Sequence, residues 1–266
     1  MEEERLTAQE LRRQLEGLLG PARAGRVRCM ERADSTNSLL KELARSGAEG
    51  GSTLIALEQS AGRGRLGRSF TSPPGGLYLS TLLEPGDAAA AASITAWAGV
   101  AAAEAVEEVC RVPCGIKWVN DLQVQGKKVC GILAEGVRLP SGGSRVVLGL
   151  GLNVRTPRAA FPPEVREIAA SLSEFAEQEL RIPLLAAALI RRLDRLGEDY
   201  PARGAEYLEA YRRRCVTLGR EVLLDGPEGE ERAFAEDLGE DFSLLLRLPD
   251  GSRRSVRSGE VRLKRL

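Results

Sequence analysis

The chain has 266 residues, 43% of them hydrophobic, and its 38 lysines and arginines balance 38 aspartates and glutamates. That length supports one substantial core plus a small accessory unit, and the zero net charge removes any molecule-wide attraction for nucleic acid or acidic membrane. Histidine is absent, which excludes Ser-His-Asp and Cys-His nucleophile systems and leaves arginine, lysine, carboxylates and backbone amides to carry the chemistry.

Leucines recur at helical spacing over residues 6–19 and stop at Gly20-Pro21, which predicts one short helix, too little for a helix-turn-helix unit. Ser35-Thr36-Asn37 opens a second helix over 35–45, with Leu39, Leu40 and Leu43 as its apolar face. Residues 53–57 and 77–83 read as strands. Residues 59–76 between them are rich in glycine and hold Pro73 and Pro74, a loop long enough to be functional.

The alanine-rich run over 88–109 carries Glu104, Glu107 and Glu108, so it reads as a packed helix and not as a membrane span. Three strands follow, over 115–124, 128–138 and 145–154, with turns at Gln125-Gly126 and Ser141-Gly142-Gly143, an antiparallel meander. Helices resume over 183–196 and 204–214. Beyond Cys215, short runs at 221–224, 242–248, 253–256 and 261–263 predict a small β-barrel. Cys29, Cys110, Cys114, Cys130 and Cys215 are odd in number and scattered, with no secretory leader, which predicts a reducing cytoplasm. Without histidine or a second cysteine pair, Cys110 and Cys114 read as buried thiols and not as zinc ligands.

Gly62, Gly64 and Gly67 satisfy a dinucleotide-type glycine pattern, but Pro73 and Pro74 follow where that pattern needs a helix. A P-loop sequence is missing as well. What the loop offers is Arg63, Arg65 and Arg68 interleaved with glycines, planar donors on a backbone that a phosphate can approach closely. A solvated basic loop has the same composition. Lys117, in Lys117-Trp118-Val119-Asn120-Asp121, is one of only five lysines among the basic residues. It reads equally as a compact point charge at a site or as an exposed strand residue beside a core tryptophan. Ser35-Thr36-Asn37 can hold a planar polar group such as a ureido ring or simply cap its helix.

Taken in order and spacing, these motifs resemble the biotin protein ligase family. Lys128-x-x-Gly131-Ile132-Leu133-x-Glu135, Gly149-x-Gly151-x-Asn153-Val154, Ala170-Ser171-Leu172 and Ser258-Gly259-Glu260-Val261 complete the resemblance, which spans roughly residues 30–266. It implies an α+β fold: a mixed sheet flanked by helices (class II synthetase-like, SH2-like) over 31–215, a C-terminal SH3-like barrel over 216–266, and a short helical segment over 1–30. It further implies ATP-dependent activation of biotin to biotinyl-5'-AMP and transfer to a lysine of a biotin carboxyl carrier protein, with Mg2+ on the phosphates near Asn120 and Asp121.

By the same resemblance biotin is bound by Ser35, Thr36, Asn37, Gln59, Arg63, Gly64, Arg65, Lys117, Gly131 and Ile132. ATP is bound by Arg63, Arg65, Arg68, Phe70, Lys117, Asn120 and Asn153, and catalysis rests on Lys117, Arg65 and Arg63. The chain departs from the pattern at Val119, where proline is usual, at Leu66, where arginine is frequent, and at Phe70, where tryptophan usually covers adenine. The first 30 residues leave no room for the winged-helix repressor domain of bifunctional members, so no operator binding is expected, and no membrane binding either. The expected state is a cytoplasmic monomer or homodimer. The nearest rival, a lipoate ligase, normally carries a glycine run ending near a histidine. A nucleic-acid-binding module using the Arg-Gly loop is the rival from another class, and the neutral charge speaks against it.

Overall fold

The computed structural model describes residues 6–85, 87–226, 229–257, 259 and 261–263; Ser258 and Glu260 of the predicted C-terminal motif lie outside them. Helix α1 (Ala8–Leu19) buries Leu11 and Leu15, is capped by Thr7, and ends at Gly20 with φ 78°. A four-residue turn of helix, α2 (Pro21–Ala24), leads into β1 (Val27–Met30). Helix α3 (Thr36–Arg45) follows, with Ser35 as its N-cap, accepting from the Ser38 amide. Then come β2 (Thr53–Ala56), the long loop, and β3 (Gly76–Leu83).

The alanine-rich run is helix α4 (Ala91–Cys110), buried on most of its circumference. Among the described residues no helix is long and apolar enough to cross a membrane. The predicted first meander strand is two: β4 (Gly115–Lys117) and β5 (Asp121–Val124), with Trp118 to Asn120 turning between them. The Lys117 motif therefore lies on a hairpin turn and not on one continuous strand. Helix-free pairing continues with β6 (Lys127–Arg138) and β7 (Ser144–Asn153). Helices α5 (Pro163–Arg166), α6 (Ile182–Asp199) and α7 (Gly204–Arg214) complete the first unit.

Seven strands make one sheet in the order β1-β2-β3-β7-β6-β5-β4. Only β1 and β2 run parallel; every other pair is antiparallel, so the predicted three-strand meander is antiparallel as expected but has four strands. Alternation along the strands sends Leu54, Leu82, Val137 and Val147 to one face, where Leu40 and Ala44 of α3 cover them. Ile55, Leu79, Leu148 and Leu150 belong to the larger core that also holds α4, α6 and α1. Burying each such aliphatic side chain contributes roughly 1.5–3 kcal/mol.

The C-terminal strands are β8 (Glu221–Gly226), β9 (Gly229–Leu238), β10 (Leu244–Arg247), β11 (Arg253–Val256) and β12 (Val261–Leu263), an antiparallel sheet in the order β11-β10-β9-β8-β12. The longest of these, β9, was not anticipated: its inward positions are the small residues Ala233 and Ala235, and its start is charged. Among the described residues β11 and β12 do not pair, and these strands make a second, five-stranded antiparallel sheet.

Candidate active site

The start of α3, the long loop, the β4–β5 turn and the middles of β6 and β7 converge on one cleft. Ser35, Thr36, Asn37, Gln59, Arg63, Gly64, Arg65, Arg68, Phe70, Lys117, Asn120, Asp121, Gly131 and Ile132 all line it. Asn153 does not; it is buried at the end of β7 with its amide nitrogen 3.3 Å from the Ala170 carbonyl. Sequence reasoning assigned no role to Lys128, Leu133, Gly149 and Gly151, which line the cleft too, although the motifs contained them.

Ser35, Thr36 and Asn37 serve both readings given above, since Ser35 caps the helix while all three border the cleft. They are held in a dense network. The Thr36 amide donates to Gln59 Oε1 at 2.8 Å, and Gln59 Nε2 donates to Ser72 Oγ at 2.9 Å. Ser80 Oγ, buried in β3, donates to Asn37 Oδ1 at 2.6 Å and lies 2.7 Å from Thr36 Oγ1. Asn37 Nδ2 in turn donates to Glu135 Oε2 at 3.0 Å and to the Leu133 carbonyl at 3.3 Å. These bonds leave each amide in one orientation. Ser80 was missed because a lone serine in an apolar strand carries no signal beyond its position.

The floor of the cleft is bare backbone. A Cβ on Gly149 would lie 2.0 Å from Asn37 Oδ1, and one on Gly151 would lie 2.4 Å from the Phe70 ring. Gly131, opposite Gly151 in register, would meet the same ring at 2.8 Å. Phe70 thus rests flat ground that any side chain would fill, edge-on to Tyr78 at 6.5 Å between centroids, and Lys128 Nζ stands 5.6 Å from its ring centre.

The arginine loop folds back on itself: the Gly64 amide donates to the Arg68 carbonyl at 2.7 Å and the Phe70 amide to the Gly62 carbonyl at 2.8 Å. Leu66 (φ 55°) and Gly67 (φ 75°) make the left-handed tip, and β3 follows with no helix, as the rejection of a dinucleotide turn requires. Arg65 Nη1 donates to Asn120 Oδ1 at 3.1 Å, and Asn120 Nδ2 donates to the Ile132 carbonyl at 3.0 Å.

Among the described residues five cations, Arg63, Arg65, Arg68, Lys117 and Lys128, line the cleft against one carboxylate, Asp121, so an overall neutral chain builds a local anion site. Asp121 pairs with Lys128 at 2.7 Å, and Arg63 lies 3.4 Å from Glu135, just behind the lining. Lys117 is the lining cation with neither an ion pair nor a hydrogen bond among the described residues. Burial pushes the Glu135 carboxyl up, but hydrogen bonds from Lys41 and Asn37 and the charges of Lys41 and Arg63 outweigh it and hold the group below the usual carboxylate range.

The second sheet meets the turn that carries Lys117. The Trp118 amide donates to Thr217 Oγ1 and its indole N–H to the Phe242 carbonyl, both at 2.9 Å, and Gly259 and Val261 form part of the cleft wall.

The family described as Biotin/lipoate A/B protein ligase matches residues 29–153. The chain is 32% identical over 245 residues to the biotin–acetyl-CoA-carboxylase ligase of Paracoccus denitrificans, covering 87% of this chain and 98% of that one. It is 33% identical over 172 residues to the bifunctional ligase/repressor of Bacillus subtilis, and that match spans 64% of this chain but only 53% of the relative. The structure of the biotin protein ligase from Aquifex aeolicus in complex with biotin and ATP has a TM-score of 0.77 and 30% identity, over 89% of this chain and 97% of that one.

Proposed function

The chain belongs to the biotin protein ligase family, and we propose that the cleft described above is where it runs that family's two-step reaction. It is an ATP-dependent ligase that activates biotin as biotinyl-5'-AMP and passes it to a lysine of a biotin carboxyl carrier protein. The observation that carries the assignment to this cleft is Lys117, a cation without a protein partner among the described residues, facing the same space as a rigid Ser-Thr-Asn cluster and the arginine loop.

Biotin lies in the cleft beside the Asn37 amide and the Phe70 ring that rest on the glycine floor, its ureido group held by Ser35, Thr36, Asn37 and Gln59, with Arg63, Gly64, Arg65, Gly131 and Ile132 around it. Its carboxylate points toward Lys117. ATP lies along Arg65, Arg68, Phe70 and Asn120, so that the carboxylate oxygen attacks the α-phosphorus and pyrophosphate departs. Lys117, Arg65 and Arg63 stabilise the charge gathering on the phosphoryl oxygens. The carrier lysine's amine then attacks the acyl carbonyl and AMP leaves, with no covalent enzyme intermediate. Asn120 and Asp121, whose oxygens hold Arg65 and Lys128 here, would be the hard oxygen donors for Mg2+ at this wall. Mg2+ would supply positive charge to the phosphates.

Closure of the loop over the adenylate excludes water, which would hydrolyse the mixed anhydride. Residues 31–215 form the catalytic unit, which we read as class II synthetase-like, after an N-terminal segment over 1–30. We read the second sheet, over 216–266, as an SH3-like unit, supported by its five antiparallel strands and the register shift at Leu245/Leu246. Incubation with ATP, a biotin-accepting carrier domain and either biotin or lipoate tests the reading. The expected result is an ATP-dependent mass shift of one biotin and pyrophosphate release with biotin alone; release with lipoate alone would overturn it.

A further inference from the structure

Glu135 does not line the cleft, yet it touches three groups that decide how the cleft is shaped. Its Oε2 accepts from Asn37 Nδ2 at 3.0 Å. Its Oε1 is shared by two cations, Lys41 Nζ from α3 at 2.8 Å and Arg63 Nη2 from the loop at 3.4 Å. The Glu135 and Lys41 side chains are 19% and 16% exposed, whereas Arg63 is 47% exposed. One end of this cluster is therefore locked into the sheet and helix, and the other reaches into a glycine loop.

We infer that Glu135 is a positioning residue for biotin binding: it tethers Arg63 to the sheet and fixes the Asn37 amide, acting through both and touching no substrate itself. This rests on the placement of biotin proposed above. Two like charges converge on one carboxylate oxygen, so the carboxylate does more than attract. Without its charge, Lys41 and Arg63 face each other across a partly buried space of low dielectric, and mutual repulsion drives the mobile partner, the loop arginine, outward. The Asn37 amide keeps the Leu133 carbonyl but exchanges a charged acceptor for a neutral one, so its orientation is held less firmly.

This reading separates from a purely structural salt bridge because it predicts a rescue. Glu135→Gln should raise the KM for biotin by about tenfold and, because Arg63 also faces the reacting phosphate, lower kcat as well, and should speed tryptic cleavage after Arg63, Arg65 and Arg68. Adding Lys41→Met removes the repelling cation and should recover most of these effects, although it deletes one more polar contact. Lys41→Met alone leaves Arg63 as the only cation on Glu135 and should leave KM unchanged or lower, which keeps the test decisive even where Glu135→Gln folds poorly. A KM unaffected by Glu135→Gln, a double variant no better than Glu135→Gln, or a higher KM in Lys41→Met overturns the inference. The cleavage rates report the tether without any turnover. A wild-type protein inactive toward biotin would thus defeat the proposed function while proteolysis still decides this one: faster cleavage in Glu135→Gln with rescue in the double variant supports the tether, and equal cleavage overturns it.

Discussion

The indole N–H of Trp118 donates to the carbonyl of Phe242, 124 residues further along the chain, at 2.9 Å. The bond joins the turn beside Lys117 to the second sheet, and both groups are buried. Trp118→Phe removes the donor, opens a gap and leaves the Phe242 carbonyl without its partner, a loss of about 1–3 kcal/mol. The expected result is a lower Tm together with slower pyrophosphate release, measured by thermal melting and a coupled phosphate assay.

Lys117 should behave in the opposite way. Its ammonium has no protein partner among the described residues, so Lys117→Met should leave stability within about 0.5 kcal/mol of wild type. Adenylate formation should fall by about a hundredfold or more, as expected when a charge aimed at the reacting phosphate is removed. Wild-type adenylate yield in a single-turnover assay would remove Lys117 from the mechanism.

The bare floor predicts a steric effect at a residue with no chemistry of its own. Gly149→Ala places a methyl group 2.0 Å from Asn37 Oδ1, which must displace the carboxamide and strain the α3–β7 contact by about 1–3 kcal/mol. Isothermal titration should show biotin binding weakened well beyond the loss of stability. Unchanged biotin affinity would mean that Asn37 is not a ligand-binding group.

Glu135 supplies a pH signature. Its folded carboxyl sits below the ordinary range, so its contribution to stability is complete above the unfolded carboxylate pKa and is lost as pH falls through the folded value. The Tm difference between wild type and Glu135→Gln should therefore be constant from about pH 8 to about pH 6 and shrink below about pH 4. A difference that persists unchanged in acid would show that the charge is not what matters there.

Burial pushes the thiol of Cys29 up to about 11 and those of Cys110 and Cys114 up to about 12, and Cys130 and Cys215 are raised by burial as well. Native protein at neutral pH should take up iodoacetamide very slowly, at Cys29 first, and add five labels once denatured. Rapid labelling of Cys110 in the native state would contradict the packing of α4.

Much of the site was legible because each motif is a short local run whose residue types are unusual together: three arginines among glycines, and a lysine, tryptophan, asparagine and aspartate in sequence. What escaped depends on neighbours far away in the chain. Glu135 and Lys41 are ordinary charges until the sheet and α3 bring them together. Asn153 belongs to a recognisable motif, yet the strand ends in such a way that its side chain turns to Ala170. In the second sheet, β9 went unseen because alanine marks its buried face more weakly than valine or isoleucine would. The β4–β5 break was hidden because the apolar residues Trp118 and Val119, both buried, continue the hydrophobic run through the turn, and the groups that hold Trp118 there come from residues 217 and 242.

The cleft wall draws on Ser35 at the start of α3 and on Val261 in β12 of the second sheet. The two sheets therefore share the work of enclosing one site, and separating them would leave its motifs intact but its wall incomplete.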